Sequence, residues 1–291
     1  MKYIAIVTGA SSGIGREFAY AIDQSMNGID EIWIVARRKD RLEELSGQLK
    51  HHARIVCGDL SNRNTVNRIS QLLNADKYRI RFLVNAAGYG VLGDFEIGDR
   101  KEESGMCDLN IRALTEITHV CLPHMGKNSR IINLASSAAF VPQPAFAVYA
   151  ASKSYVLSFS RALNSELKER QIFVTAVCPG PVKTEFFDVA EKYGTRTLSL
   201  KKFAMTTPQV VVKEALRDSY ARNEVSVPTT VMKIFRVMCK IVPHRGEAEK
   251  NRPLHPVYNK EYWQKMQDRD VQPDFAGRCG LPRQRRGADA Q

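Results

Sequence analysis

Tyr149 and Lys153 stand four residues apart in a run of helix formers, Ala-Ala-Ser-Lys-Ser-Tyr-Val-Leu-Ser-Phe-Ser-Arg-Ala-Leu, whose apolar members recur at Tyr155, Val156, Phe159 and Leu163. That spacing puts the phenol and the ammonium on one helix face. A free tyrosine, with a pKa of about 10, exchanges protons poorly near neutrality. A positive charge at roughly 4 Å in an effective dielectric near 20 favours the phenolate by about 4 kcal/mol before desolvation opposes it, so a lowering of about two or three pKa units is available. A phenol tuned in this way gives a proton to a carbonyl oxygen as it becomes an alkoxide and takes it back in the reverse direction. Ser136, thirteen residues upstream, is placed to hold the same oxygen by a hydrogen bond. Tyrosine and lysine at this spacing also occur in helices with no chemistry, so the surrounding elements must decide.

Those elements alternate between strand and helix. Lys2 to Val7 is a β-branched run that feeds Thr8-Gly9-Ala-Ser11-Ser12-Gly13-Ile14-Gly15 and then a helical stretch, Arg16 to Ile22. Strand, glycine turn and helix in that order aim backbone N–H groups and a positive helix end at a pyrophosphate. The spacing is Gly-x-x-x-Gly-x-Gly rather than the commoner Gly-x-Gly-x-x-Gly, and any tight turn needs glycine. A second strand, Glu31 to Val35, ends in Ala36-Arg37-Arg38. An acidic side chain for a ribose 2′-hydroxyl is missing there, whereas two arginines fit a 2′-phosphate, which predicts NADP(H) over NAD; a solvated basic turn has the same composition.

Arg54 to Cys57 forms a third strand closed by Gly58-Asp59-Leu60, with Asp59 at the edge where an adenine would lie. Arg81 to Val84 forms a fourth, running into Asn85-Ala86-Ala87-Gly88. Helical patterns separate these strands over Arg41 to Lys50 and Thr65 to Leu73. Asn110 falls in a helical run, Met106 to Val120, where propensity disfavours asparagine and a solvated or bend-capping role is the ordinary reading. Arg130 to Leu134 is a fifth strand ending at Ser136, and Phe173 to Val177 a sixth ending in Cys178-Pro179-Gly180-Pro181-Val182-Lys183-Thr184. The pattern predicts an α/β fold, a Rossmann-type doubly wound parallel sheet with helices on both faces. Gly9, Arg37, Asp59, Gly88, Ser136 and Gly180 would then share the carboxyl edge of the sheet.

The 291 residues suffice for one large α/β domain or one domain with an appendage, and 44% apolar with 25% charged residues is the balance of a soluble globular chain. Six cysteines, Cys57, Cys107, Cys121, Cys178, Cys239 and Cys279, show no paired spacing and read as reduced packing residues of a cytoplasmic protein. No metal site is indicated. Met1 leads almost directly into a strand, which predicts no signal peptide, and no apolar run reaches membrane-spanning length. The formal charge of +12 suits anionic ligands or an anionic membrane surface, but the basic residues are too scattered for a nucleic-acid site.

In combination, Thr8-Gly9-x3-Gly13-Ile14-Gly15, Asp59-Leu60, Asn85-Ala86-Ala87-Gly88, Asn110, Ser136, Tyr149-x3-Lys153 and Pro179-Gly180-x-Val182-x-Thr184 resemble the short-chain dehydrogenase/reductase family in its compact single-domain subtype. The resemblance covers residues 4 to about 230. It implies Tyr149 as acid/base, Ser136 orienting a carbonyl, Lys153 binding the nicotinamide ribose and lowering the Tyr149 pKa, and Asn110 linking Lys153 to a water relay. It further implies a cofactor lined by Gly9, Ser11, Ser12, Gly13, Ile14, Gly15, Arg37, Arg38, Asp59, Leu60, Asn85, Ala86, Gly88, Tyr149, Lys153, Pro179, Val182 and Thr184. Two residues depart from the family pattern: Ala86 replaces a second asparagine and is expected to loosen a structural hydrogen bond, and Ala135 replaces a serine.

The family likeness also implies a lid over the substrate within residues 185–205, here rich in Phe186, Phe187, Leu198, Leu200 and Phe203, and assembly as a homodimer or homotetramer. The Phe140-Val-Pro-Gln-Pro insert before Tyr149, together with the aromatic lid, resembles members acting on hydroxysteroids or 3-oxoacyl chains; Phe140, Phe146, Phe186, Phe187 and Phe203 flank the carbonyl site in sequence, and about half of them are expected to be ordinary core residues. The expected function is therefore NADP(H)-dependent interconversion of a ketone and a secondary alcohol on a lipophilic substrate. A catalytically idle nucleotide-sensing regulator is the rival, and intact Ser136, Tyr149 and Lys153 speak against it. Nucleotide-sugar epimerisation or dehydration would need a longer subtype and another glycine spacing. Thr207-Pro208 reads as the cap of a helix over Gln209 to Tyr220, and Val225 to Val227 as a last strand. Val231 to Val242 then follows helical periodicity, with Val231, Ile234, Phe235, Met238, Ile241 and Val242 on one face and Lys233, Arg236 and Lys240 on the other. Such a helix either packs as a lid or subunit contact or lies in a membrane interface. The dehydrogenase-like domain is expected over 1–243, followed by a polar, flexible tail over 244–291.

Overall fold

The computed structural model describes residues 1–192, 194 and 205–241. The expectations placed on Leu198, Leu200, Phe203, Val242 and the tail from 244 fall outside the described residues, as does most of the lid beyond Lys192. A seven-stranded parallel sheet forms in the order β3-β2-β1-β4-β5-β6-β7. Its strands are β1 (Lys2–Thr8), β2 (Glu31–Ala36), β3 (His52–Cys57), β4 (Tyr78–Asn85), β5 (Met125–Leu134), β6 (Phe173–Val177) and β7 (Val225–Ser226). The helices are α1 (Gly13–Ser25), α2 (Lys39–Ser46), α3 (Arg63–Asn74), α4 (Arg100–Cys107), α5 (Leu114–Cys121), α6 (Ala147–Glu166), α7 (Phe186–Lys192), α8 (Pro208–Tyr220) and α9 (Thr230–Ile241).

The continuous apolar run Ile4-Ala5-Ile6-Val7 is fully buried because side chains alternate across a sheet covered on both faces. Ile4 and Ile6 join a layer with Val66, Ile69 and Leu73 of α3 and Ile117 of α5. Ala5 and Val7 enter the opposite layer with Phe18 and Ile22 of α1, Leu42 of α2 and Val211 of α8. Each such buried aliphatic side chain contributes about 1.5 to 3 kcal/mol relative to exposure, so the two layers secure the sheet from both sides.

Helix starts follow local chemistry. The Asn62 side chain accepts from Asn64 N at 2.9 Å before α3, and Asp99 accepts from Lys101 N at 2.7 Å and Glu102 N at 3.2 Å before α4. Thr207 occupies the N-cap position of α8 without a side-chain bond, with Pro208 inside the first turn. The strands β3, β4 and β5 start earlier than their apolar signal. In β5, Lys127 and Asn128 are exposed and Asn128 has φ of 67°, so this irregular beginning carries no hydrophobic run to reveal it.

Position matters most at β1. It pairs with β2 on one side and β4 on the other, so chain order reverses there and a crevice opens at the carboxyl ends. Thr8 lies opposite Asn85, which sets the glycine turn beside the Ala86-Ala87-Gly88 turn.

Candidate active site

The two turns at this crevice are locked to each other. Gly9 has φ of +68°, a left-handed conformation, and a Cβ there would lie 2.8 Å from the Ala86 carbonyl carbon. A Cβ on Gly15 would strike the Gly9 carbonyl, so α1 approaches the turn as closely as backbone allows. The Thr8 hydroxyl accepts from Ala86 N at 3.1 Å and Ala87 N at 3.2 Å. Thr8 thereby secures the turn that contains Ala86 through its backbone. Helix α1 starts at Ser12 with no side-chain cap and no acidic residue in its first turn, which leaves its first amides and the positive end of its dipole facing the crevice. A Cβ on Gly13 would lie 3.2 Å from Thr184 Cγ2, so the loop after β6 closes on the same place.

The basic residues after β2 stand next to this turn. Arg38 donates through Nε and Nη2 to Ser11 Oγ at 3.3 and 3.2 Å, and through Nη1 to Glu185 at 2.8 Å. Arg37 is exposed and lies 3.8 Å from the Asp59 carboxylate. Free helix amides, glycines without room for a side chain and arginines beside Ala36 are a donor set that fits the phosphates of a nicotinamide dinucleotide.

Other candidates sit differently from their expected places. Asn85 is buried and its amide donates to Thr118 Oγ1 and Asn133 Oδ1, both at 2.9 Å, so its side chain braces β4 against α5 and β5 instead of facing the crevice. Leu60 is likewise buried in the core layer, and Ile14 packs partly into the other. Pro179 contributes its carbonyl, which accepts from Ser137 N at 2.8 Å, while Val182 is buried and bridges to Thr206.

Helix α6 presents Tyr149 and Lys153 together, both buried. Lys153 Nζ donates to the Leu134 carbonyl at 2.8 Å and lies 5.6 Å from the centre of the Tyr149 ring. Ser136 accepts from Ala138 N at 3.1 Å, which fixes its hydroxyl at the start of a short 3₁₀ turn, Ser137–Phe140. The predicted depression of the Tyr149 pKa is reversed. Burial pushes the phenol up to about 12, against a smaller opposing effect of a hydrogen bond with Ser136. Burial pushes Lys153 down to about 8. The lysine spends a hydrogen bond on Leu134 and both groups leave water, and that loss of solvation is the largest cause of each shift. What results is a neutral phenol, a proton donor, beside a cation that titrates near neutrality.

Asn110 is buried in a π-helical turn, Asp108–Ala113, that joins α4 to α5. Its Oδ1 accepts from Tyr89 N at 3.1 Å, and its Nδ2 donates to Tyr89 O at 2.9 Å and Ser152 Oγ at 3.1 Å. Ser152 in turn donates to the Tyr149 carbonyl at 2.7 Å. A Cβ on Gly88 would come within 2.8 Å of Asn110 Oδ1 and 3.3 Å of Lys153 Nζ, so these groups crowd one point. Asn110, read from propensity as solvated or bend-capping and from the family resemblance as a link to Lys153, is a clamp between the loop after β4 and α6.

Comparison with known proteins decides the family. The model named short chain dehydrogenase matches residues 3–193, more than half of the chain. The chain belongs to the short-chain dehydrogenase family. Its members are oxidoreductases that act on alcohol and ketone groups with a nicotinamide cofactor. The chain is 32% identical to sulfoacetaldehyde reductase 2 of Chromohalobacter salexigens over 72% of this chain and 83% of that one. It is 30% identical to the very-long-chain 3-oxoacyl-CoA reductase of Anas platyrhynchos over 73% of this chain and 67% of that one. Among solved structures it is similar to a short-chain dehydrogenase from Sphingobium yanoikuyae in complex with NADPH, with TM-score 0.70, 25% identity and coverage of 89% and 99%.

Around this short-chain dehydrogenase site the aromatic residues divide. Phe146 stacks on Tyr149 with centroids 4.2 Å apart, Phe186 lies 5.4 Å from the same ring, and Phe187 meets Phe186 edge-on at 5.4 Å. Phe140 instead faces Phe235 of α9 at 6.4 Å. Phe235 therefore points inward, with Met232 against Gly180, whereas Val237 joins Val231, Ile234, Met238 and Ile241 on the outer face, each 55–74% exposed. Three residues of the site were missed in the sequence: Tyr89, Ser152 and Glu185. A serine in the helix interior beside Lys153 was a usable signal, because propensity disfavours it without a bonding role. Glu185 had none, since its partners lie some 150 residues away in the chain (147 for Arg38).

Proposed function

We propose that this chain is an NADP(H)-dependent oxidoreductase that interconverts a ketone and a secondary alcohol on a lipophilic substrate. The observation that carries the reading is the buried Tyr149 phenol, with Ser136 and the Lys153 ammonium beside it, at the carboxyl edge of the sheet. When bound, the nicotinamide exchanges a hydride with the carbonyl carbon. Tyr149 gives the carbonyl oxygen its proton in reduction and receives it in oxidation, and Ser136 orients that oxygen. Lys153 has three donors, and those not used on Leu134 suit ribose hydroxyls. Asn110 positions α6 through Ser152, so its part in the reaction is indirect.

The absence of an acid at Ala36 with arginines following it supports NADP(H), as does the likeness to a dehydrogenase solved with NADPH. Relatives at similar identity carry names for a small polar aldehyde and for a very long acyl chain. Phe146, Phe186, Val91 and Leu92 around Tyr149 favour the second kind of substrate. The family's habit supports a homodimer or homotetramer, and the reduced cysteines among the described residues fit a cytoplasmic setting. Among the described residues no helix is long and apolar enough to cross a membrane. The outer stripe of α9, bordered by Lys233 and Lys240 on a chain of charge +12, fits peripheral contact with an anionic lipid surface. An NADPH-oxidation assay over steroids, acyl ketones, quinones and small diketones tests the reading. Best kcat/KM with a lipophilic ketone is expected; turnover of small polar ketones alone, or with NADH alone, would contradict it.

A further inference from the structure

Glu185 immediately precedes α7 and returns its carboxylate to the mouth of the glycine turn. One oxygen accepts from Arg38 Nη1 at 2.8 Å, and the other lies 3.7 Å from Arg41 Nη2. Arg38 above all, with Arg41 and the nearby Ser12 hydroxyl, holds the carboxyl below the usual range. Arg38 is meanwhile anchored on Ser11 through its other edge. A guanidinium fork, a second guanidinium and a hydroxyl at the start of α1 are the partners a phosphate dianion would choose. Glu185 is joined directly to Phe186, whose ring lies 5.4 Å from that of Tyr149.

We infer that Glu185 is an internal anion seated in the subsite that takes the 2′-phosphate, so that cofactor binding displaces it and draws Phe186 away from Tyr149. The inference rests on the NADP(H) reading above. The Arg38 and Glu185 side chains are 41% and 44% exposed, so water screens their attraction and a dianion outcompetes a single carboxylate. The arrangement links recognition of the 2′-phosphate to access at Tyr149 through one residue. A nicotinamide cofactor lacking that phosphate would leave Glu185 in place.

The test measures binding of adenosine 2′,5′-bisphosphate and of 5′-AMP by calorimetry to wild type, Glu185→Gln and Glu185→Ala, with folding checked by thermal melting. Removing the carboxylate is expected to tighten the bisphosphate by roughly three- to tenfold and to change 5′-AMP by less than about twofold. Arg38→Met combined with Glu185→Gln should lose that gain. In a Phe186→Trp protein, indole emission should change with the bisphosphate and not with 5′-AMP. Unchanged or weaker bisphosphate binding in both Glu185 variants would overturn the competition, and emission from the Phe186→Trp protein that ignores the bisphosphate would overturn the coupling. Wild type that does not separate the two nucleotides would instead refute the NADP(H) reading itself.

Discussion

Tyr149 and Lys153 leave water together, and burial favours the neutral form of each. For Lys153 the folded pKa of about 8 lies below the ordinary 10.5, so between these values the unfolded chain binds more protons and stability rises with pH. Below about pH 8 the cost of the buried charge is fully present. Tyr149 shifts the other way, from 10.0 to about 12, and lowers stability only as pH rises between those values. The window from pH 8 to 10 therefore separates the lysine from the tyrosine, and subtracting a lysine variant removes the share of the buried thiols Cys121 and Cys178, whose raised pKa values also bear on this range. Across it, the unfolding free energy of wild type minus that of Lys153→Met should climb by roughly 2 kcal/mol in urea titrations; a flat difference would show that Lys153 is not desolvated. Cofactor choice is also set by single residues. Ala36→Asp with Arg37→Ala should shift preference from NADPH toward NADH by roughly ten- to a hundredfold, since a charge-assisted contact is worth about 1.5 to 3 kcal/mol. Wild type already preferring NADH would show the end of β2 to be an ordinary basic turn.

At the scale of elements, the π-turn between α4 and α5 sets Asn110 against α6. Ser152→Ala removes the hydroxyl that joins them and leaves the buried Asn110 amide short of a partner, which should cost roughly 1 to 3 kcal/mol. A lowered denaturation midpoint with unchanged slope would record it; a loss under about 0.5 kcal/mol would show the bridge to be incidental. The succession of strands along the chain and the gathering of Gly9, Arg37, Asp59, Gly88, Ser136 and Gly180 at one edge were legible because strands buried on both faces are continuous apolar runs ending in small or polar turns. Contacts between elements were not legible. Asn85 follows the fourth strand's apolar run just as a crevice residue would, yet the pairing with Asn133 turns its amide inward. In α9 periodicity alone could not tell which apolar residues meet Phe140, so Phe235, expected with Val231 and Ile234, turns inward, while Val237 lies on the outer face. The Tyr149 shift was misjudged for a related reason: spacing gives the neighbouring charge but not the water removed by Phe146 and Phe186.

For the whole molecule, a charge of +12 and the exposed stripe of α9 make contact with anionic lipid testable in one step. Sedimentation with anionic vesicles should carry the protein down at low salt, and Lys233→Glu with Lys240→Glu should release it; recovery in the supernatant with every vesicle would assign α9 to packing alone. The chemistry itself depends on the fold delivering a phenol, a hydroxyl and an ammonium to the end of the sheet where a nicotinamide dinucleotide fits. The most direct measurement follows Tyr149→Phe in parallel with wild type, using NADPH fluorescence titration for binding and single-turnover NADPH oxidation with the best ketone for chemistry. Acid/base action at Tyr149 predicts an NADPH Kd within about twofold of wild type and an oxidation rate lower by about 10²- to 10⁴-fold. A folded Tyr149→Phe protein that binds NADPH and reduces the ketone at nearly the wild-type rate would contradict it.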